Sequence, residues 1–201
     1  MNILQGWYVY FPNLHFMKIL LFLFLILTPA FLLASSPEED FFRKSRQTNI
    51  NGMYVLGSWA IANMAIGAVG MSRTEGQTRH FHQMNLAWNV VNLGIAGFAK
   101  WNFAQHDISA MPFPELADDH LRIKKLYLIN AGLDVLYMAA GAYMWHRSHQ
   151  PGAKRPQMLE GFGKGVVLQG GFLLVFDAAM YLLQQRNEKM FPGVISAVIA
   201  L

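Results

Sequence analysis

The chain has 201 residues, 54% hydrophobic and 14% charged, with a mean hydropathy of +0.25, against about 25% charged residues in soluble domains. That balance fits a water-soluble core poorly, and the length leaves no room for a second folded module beside a set of membrane helices. The net charge of +4 does not indicate nucleic acid, because the basic residues fall between apolar stretches; the absence of cysteine excludes disulfides, a thiolate nucleophile and cysteine-ligated metal.

Residues 1–36 read as a leader. Met17 and Lys18 precede the apolar run Ile19 to Leu33, which ends in small residues at Ala34, Ser35 and Ser36. A start at Met17 makes the signal conventional in length, while Leu32 and Pro37 are poor residues around a cleavage point. The segment is therefore either a secretory signal peptide or an uncleaved anchor helix. Residues 37–51 form an exported polar segment on this reading.

Four apolar stretches follow, at about 52–72, 82–103, 124–146 and 162–184, each near the roughly 20 residues that cross a bilayer as a helix. Tyr54, Trp101, Tyr127, Trp145 and Tyr181 mark expected interfaces. The joints are polar or Pro-containing, and residues 185–201 form a C-terminal tail that is too short to span. The predicted fold class is all-α, an integral membrane four-helix bundle. The leader, together with the dense basic charge around loops 73–81 and 147–161, predicts that these loops are cytoplasmic and both ends are outside.

An internal repeat fits the same plan. At an offset of 74, Met64, Ala65, Gly67, Ala68 and Arg73 match Met138, Ala139, Gly141, Ala142 and Arg147. Two parallel helical hairpins follow from it.

The candidate chemistry lies on the polar faces of the spans. His82, Asn85, Asn89 and Asn92 share one helix face, as do Asn130, Asp134, Tyr137 and Gly141. Asn63, Gln169 and Asp177 add to them. A carboxylate near the middle of a membrane helix costs about 2.5 to 3.5 kcal/mol on insertion scales, and no lysine or arginine lies in the middle of a span to pair with Asp134 or Asp177. These residues should face inward and form a polar axis.

Three readings follow. In the first, the axis is interhelical packing, with Asp134 protonated against Asn63 or Asn89, and the protein is a structural or interaction protein of the membrane. In the second, Asp134 and Asp177 bind a proton, a cation or a small ligand in a transport bundle. In the third, His80, His82, His146 and His149, all near one end, ligate a metal or haem. Gly161, Gly163, Gly165, Gly170 and Gly171, with the run Ala139 to Ala142, predict close helix approach rather than a phosphate loop. No zinc-protease, nucleophile-elbow or kinase signature is present, so no enzyme and no cofactor are expected; the expected partners are the bilayer, a second copy of the chain or other membrane proteins.

The stretches Phe81 to Asn92, Asn130 to Asp134 and Gln169 to Asp177 resemble a family of small bacterial multi-pass membrane proteins with no assigned function. The resemblance extends over roughly residues 50–186. It implies a bacterial inner-membrane protein and carries no activity, substrate or cofactor.

Overall fold

The computed structural model describes residues 36–105 and 107–200. The leader and its two readings lie outside the described residues. These residues form five α-helices and one short 3-10 turn, with no strand among them: α1 (Pro37–Arg73), α2 (Gly76–Gln105), the turn Ile108–Ala110, α3 (Phe113–Ser148), α4 (Pro156–Met190) and α5 (Pro192–Ile199).

The helix ends have local causes. Pro37 opens α1 and is followed by Glu38, Glu39 and Asp40, which complement the exposed N–H groups of a first turn. At its other end, the Thr74 hydroxyl donates to the Gly70 carbonyl at 2.7 Å, and Gly76 takes φ +57, which lets the chain reverse within two residues. Pro114 lies in the first turn of α3, and Pro156 opens α4. The break between α4 and α5 falls at Pro192, which has no N–H to continue the ladder.

The predicted spans fall within α1 to α4, but the helices run well past them. Residues 37–51 form the first turns of α1, continuous with the first span. The reason is periodicity: Phe42, Ser45, Asn49, Gly52, Leu56, Asn63 and Gly67 are buried at spacings of three, four or seven, so one stripe packs inward through polar and apolar sequence alike. On α3 the buried stripe is His120, Tyr127, Asp134, Gly141 and Ser148, seven apart. Tyr127, expected at an interface, is therefore interior, where its hydroxyl donates to Asn49 Oδ1 at 3.1 Å.

The pairing is up-down-up-down. α1 packs on α2 and α3 packs on α4, while α4 also packs against α1 and α2. Contacts of Gly67 with His82 and Leu86, and of Gly141 with Gly163 and Val166, sit at matching places in the two hairpins. The offset of 74 carries the buried residues Met53, Ala60 and Gly67 onto the buried residues Tyr127, Asp134 and Gly141. The α3/α4 crossing is close: a Cβ on Gly141 would lie 2.7 Å from Gly163 O, and one on Gly163 would lie 2.6 Å from Gly141 O. Gly171 differs, having nothing within 4 Å of an added Cβ, and Ala139, Ala140 and Ala142 are exposed beside buried Gly141.

The C-terminal tail is not left on the surface. Val194 and Val198 of α5 are buried with Phe41, Phe42 and Ala117, joining the tail to the starts of α1 and α3. α1 and α4 are long and apolar enough to cross a membrane. α2 and α3 fall short of that measure, and their inward faces carry amides, a histidine and an acid.

Candidate functional site

The predicted axis assembles where α2, α3 and α4 meet α1. Asn85, Asn89, Asn92, Gln169, Asp134, Asp177 and Asn63 are all buried. Gln169 links three helices: its Nε2 donates to Asn85 Oδ1 at 3.0 Å, and its Oε1 accepts from Trp59 Nε1 at 3.0 Å. Asn89 donates to Asn85 O at 2.8 Å and Asn92 donates to Asn89 Oδ1 at 3.2 Å, which continues the chain of bonds along α2. Asn63 turns back to its own helix, donating to Trp59 O at 3.0 Å.

The two aspartates meet each other. The side chains of Asp134 and Asp177 lie close enough to interact, with Asn130 near Asp177 at the edge of α3. The expected partners of Asp134, Asn63 and Asn89, are engaged elsewhere. A hydrogen bond between two carboxyls requires a proton on one of them, since an ionised carboxylate only accepts. Asp134 Oδ2 is buried with no hydrogen-bond partner among the described residues. Asn130 and Tyr137 are exposed at the margin of the stripe, Tyr137 edge-on to Trp88 at 5.2 Å.

The four histidines do not converge. His80 bonds Gln83 at 2.7 Å, His146 bonds Gln150 at 3.2 Å, and His149 bonds the carbonyl of Trp145 at 3.0 Å. His82 packs its ring over Gly70, with Nδ1 buried and without a hydrogen-bond partner among the described residues. Among the described residues no three of His, Asp and Glu come together as metal ligands. A spacing of two turns His80 and His82 to different sides of α2, while His146 and His149 come from the end of α3 in the other hairpin.

A second polar cluster was missed by the sequence reading. At the end of the bundle holding the starts of α1 and α3 and the end of α4, Ser45 Oγ lies 2.9 Å from His120 Nδ1, and His120 Nε2 lies 2.9 Å from Glu188 Oε1. Lys124 holds both oxygens of Glu188, at 2.9 and 2.7 Å. Gln184 donates to Ser45 O at 3.0 Å and to Asn49 Oδ1 at 2.7 Å, and its own Oε1 accepts from the Ser45 hydroxyl at 3.0 Å and from Asn187 at 3.1 Å. Burial pushes the His120 imidazole below its ordinary value of 6.5, outweighing the pull of Glu188. Burial also raises Glu188, but the Lys124 and His120 contacts outweigh it and leave the carboxyl below its ordinary 4.5. Apart from Lys124 and Gln184 at the very ends of their spans, these residues lie outside the apolar windows, yet Ser45 and Asn49 on α1, His120 on α3 and Gln184 and Asn187 on α4 continue the buried stripes of the spans. That continuation was the available signal.

Beside this cluster, a cleft of about 560 Å³ opens between α1, α2 and α3, with Ser45, Asn49 and His120 in its lining. A second groove of about 440 Å³ lies between α1 and α4, lined mainly by apolar side chains such as Val55, Phe172 and Leu183. Neither includes Asp134 or Asp177.

The model of a family described as Family of unknown function (DUF6992) matches residues 55–178. No curated protein and no solved structure matches the chain.

Proposed function

The chain belongs to this family of unknown function, and we propose that it is a multi-pass membrane protein in which α1 to α4 each cross the bilayer. One observation carries the reading: the polar and apolar surfaces are inverted relative to a soluble bundle. Asn85, Asn89, Gln169 and Asp134 are buried, while Val91, Phe98, Leu136, Tyr143, Val175 and Leu182 are exposed. Large exposed apolar surface around a polar interior suits a lipid solvent, where amides and acids must find partners inside the bundle. α1 and α4 support this by length and composition. The outward residues of α2 and α3 are apolar too.

On this reading the protein is a structural or interaction protein of a bacterial inner membrane, with the Trp59–Gln169–Asn85 bonds joining its helices. Loops 73–81 and 147–161 face the cytoplasm, as their charge favours. Expressed protein should sediment with membranes, resist alkaline carbonate and be released by mild detergent. Recovery of folded chain from the aqueous fraction would overturn the proposal.

A second reading is favoured by the Asp134–Asp177 pair and the orphaned Asp134 Oδ2, which suit a bound proton or cation. Melting of the detergent-purified protein with Na⁺ or K⁺ added, for wild type and Asp134→Asn, separates the two. A cation-dependent rise confined to wild type supports the second; equal profiles support packing.

A further inference from the structure

The cluster at the end of the bundle has the connectivity of a nucleophile, a base and a carboxylate that orients the base. Glu188 is held by Lys124 and only accepts, so His120 Nε2 must carry a proton toward it. In the neutral ring this leaves Nδ1 as the acceptor, 2.9 Å from Ser45 Oγ, and the single Ser45 proton is shared between it and Gln184 Oε1 at 3.0 Å. The three groups come from α1, α3 and α4. Ser45 and His120 both line the 560 Å³ cleft, a volume within the range of small-molecule sites.

Asn49 lies one helical turn beyond Ser45 and lines the same cleft. Its Oδ1 accepts from Tyr127 and from Gln184, which fixes the amide and leaves its NH₂ to donate. Phe98, Phe103 and Leu126 supply apolar wall. We propose that this cleft is an acyl-hydrolase site for carboxylic esters bearing an acyl chain, with Ser45 as nucleophile, His120 as base, Glu188 positioning His120, and Asn49 as oxyanion donor.

The step balances without a co-reactant other than water. Ser45 Oγ bonds to the ester carbonyl carbon as its proton passes to His120 Nδ1, and the Asn49 amide donates to the developing oxyanion. The ester C–O bond then breaks, and His120 returns the proton to the leaving alcohol. Water attacks the acyl-Ser45 carbonyl, gives its proton to His120, and releases a carboxylic acid as Ser45 is re-protonated. No electron is gained or lost. The low proton affinity of buried His120 keeps it in the base form at neutral pH. The proposal does not depend on how many helices cross a membrane.

The test is labelling of the full-length, detergent-purified protein with a decyl fluorophosphonate, followed by peptide mass spectrometry. The expected adduct is on Ser45, absent in Ser45→Ala. The labelling rate should fall about 100-fold in His120→Gln and decline in wild type as pH drops and the imidazole protonates. Absence of an adduct on Ser45 in folded wild type would overturn the proposal, as would an unchanged rate in Ser45→Ala. If Ser45→Ala fails to fold, the position of the wild-type adduct decides.

Discussion

Asp134 and Asp177 turn toward each other, so the cost of each buried acid is met by the other and by Asn130 rather than by an intramembrane base. Asp134→Asn keeps the shape and an acceptor, and its amide supplies the donor the pair otherwise obtains from a proton. We expect it to change stability by no more than about 0.6 kcal/mol, the usual size of an interhelical hydrogen bond in a membrane bundle. Thermal unfolding in detergent checks this, and loss of the folded bundle would show the carboxyl to be indispensable. His120 behaves differently because its ring is buried between α1, α3 and α4. The unfolded ring takes up its proton near 6.5 and the folded one lower. Below about 6.5 the unfolded chain therefore binds more protons, and His120's contribution to stability is lost as pH falls. Glu188, held below its ordinary 4.5, loses its contribution in the same direction at lower pH. Melting temperatures of wild type and His120→Gln between pH 7 and 5 should differ in slope, with the variant flatter. Parallel slopes would mean that the buried ring does not control the response.

At the scale of the helix, glycine decides how closely elements approach. An added Cβ at Gly141 meets Gly163 O at 2.7 Å and Val166 Cβ at 3.0 Å, so Gly141→Ala must push α3 away from α4. A loss of about 1 to 3 kcal/mol is expected, the range for overpacking. Gly171→Ala, on the same helix as Gly163 but with open space around it, should be neutral or stabilising by up to about 1 kcal/mol, since alanine is the better helix former. Equal losses at the two positions would contradict the packing described. These glycines also show what the sequence made legible. Their spacing announced close approach but not which ones touch, since that depends on which side of α4 faces α3. Likewise, the amide stripe of α2 was plain from periodicity, whereas the Asp134–Asp177 contact needed the relative rotation of α3 and α4. The Ser45–His120–Glu188 cluster was hidden for another reason: hydropathy windows end where charge begins, while the buried stripes continue beyond them. α1, at 37 residues and about 1.5 Å per residue, reaches about 55 Å, far beyond the roughly 30 Å of hydrocarbon.

Across the whole molecule, an apolar exterior around a polar axis supports the proposed four-span bundle of α1 to α4, with the network of Ser45 and His120 beyond the hydrocarbon on one side. α5 closes that end by burying Val194 and Val198 against Phe41 and Phe42, so removing residues 191–201 should expose this cluster and lower the melting temperature. An unchanged melt would show that the cap adds nothing to stability. The natural absence of cysteine makes a direct map of the spans possible. Single cysteines at Glu75, Ser109, Gln150 and Lys189, probed in intact cells with a membrane-impermeant maleimide, test the claim most directly. In a four-span bundle with both ends outside, cysteines at 109 and 189 are labelled while those at 75 and 150 are protected until the membrane is permeabilised. Labelling of all four in intact cells, or protection of all four, would contradict a four-span bundle.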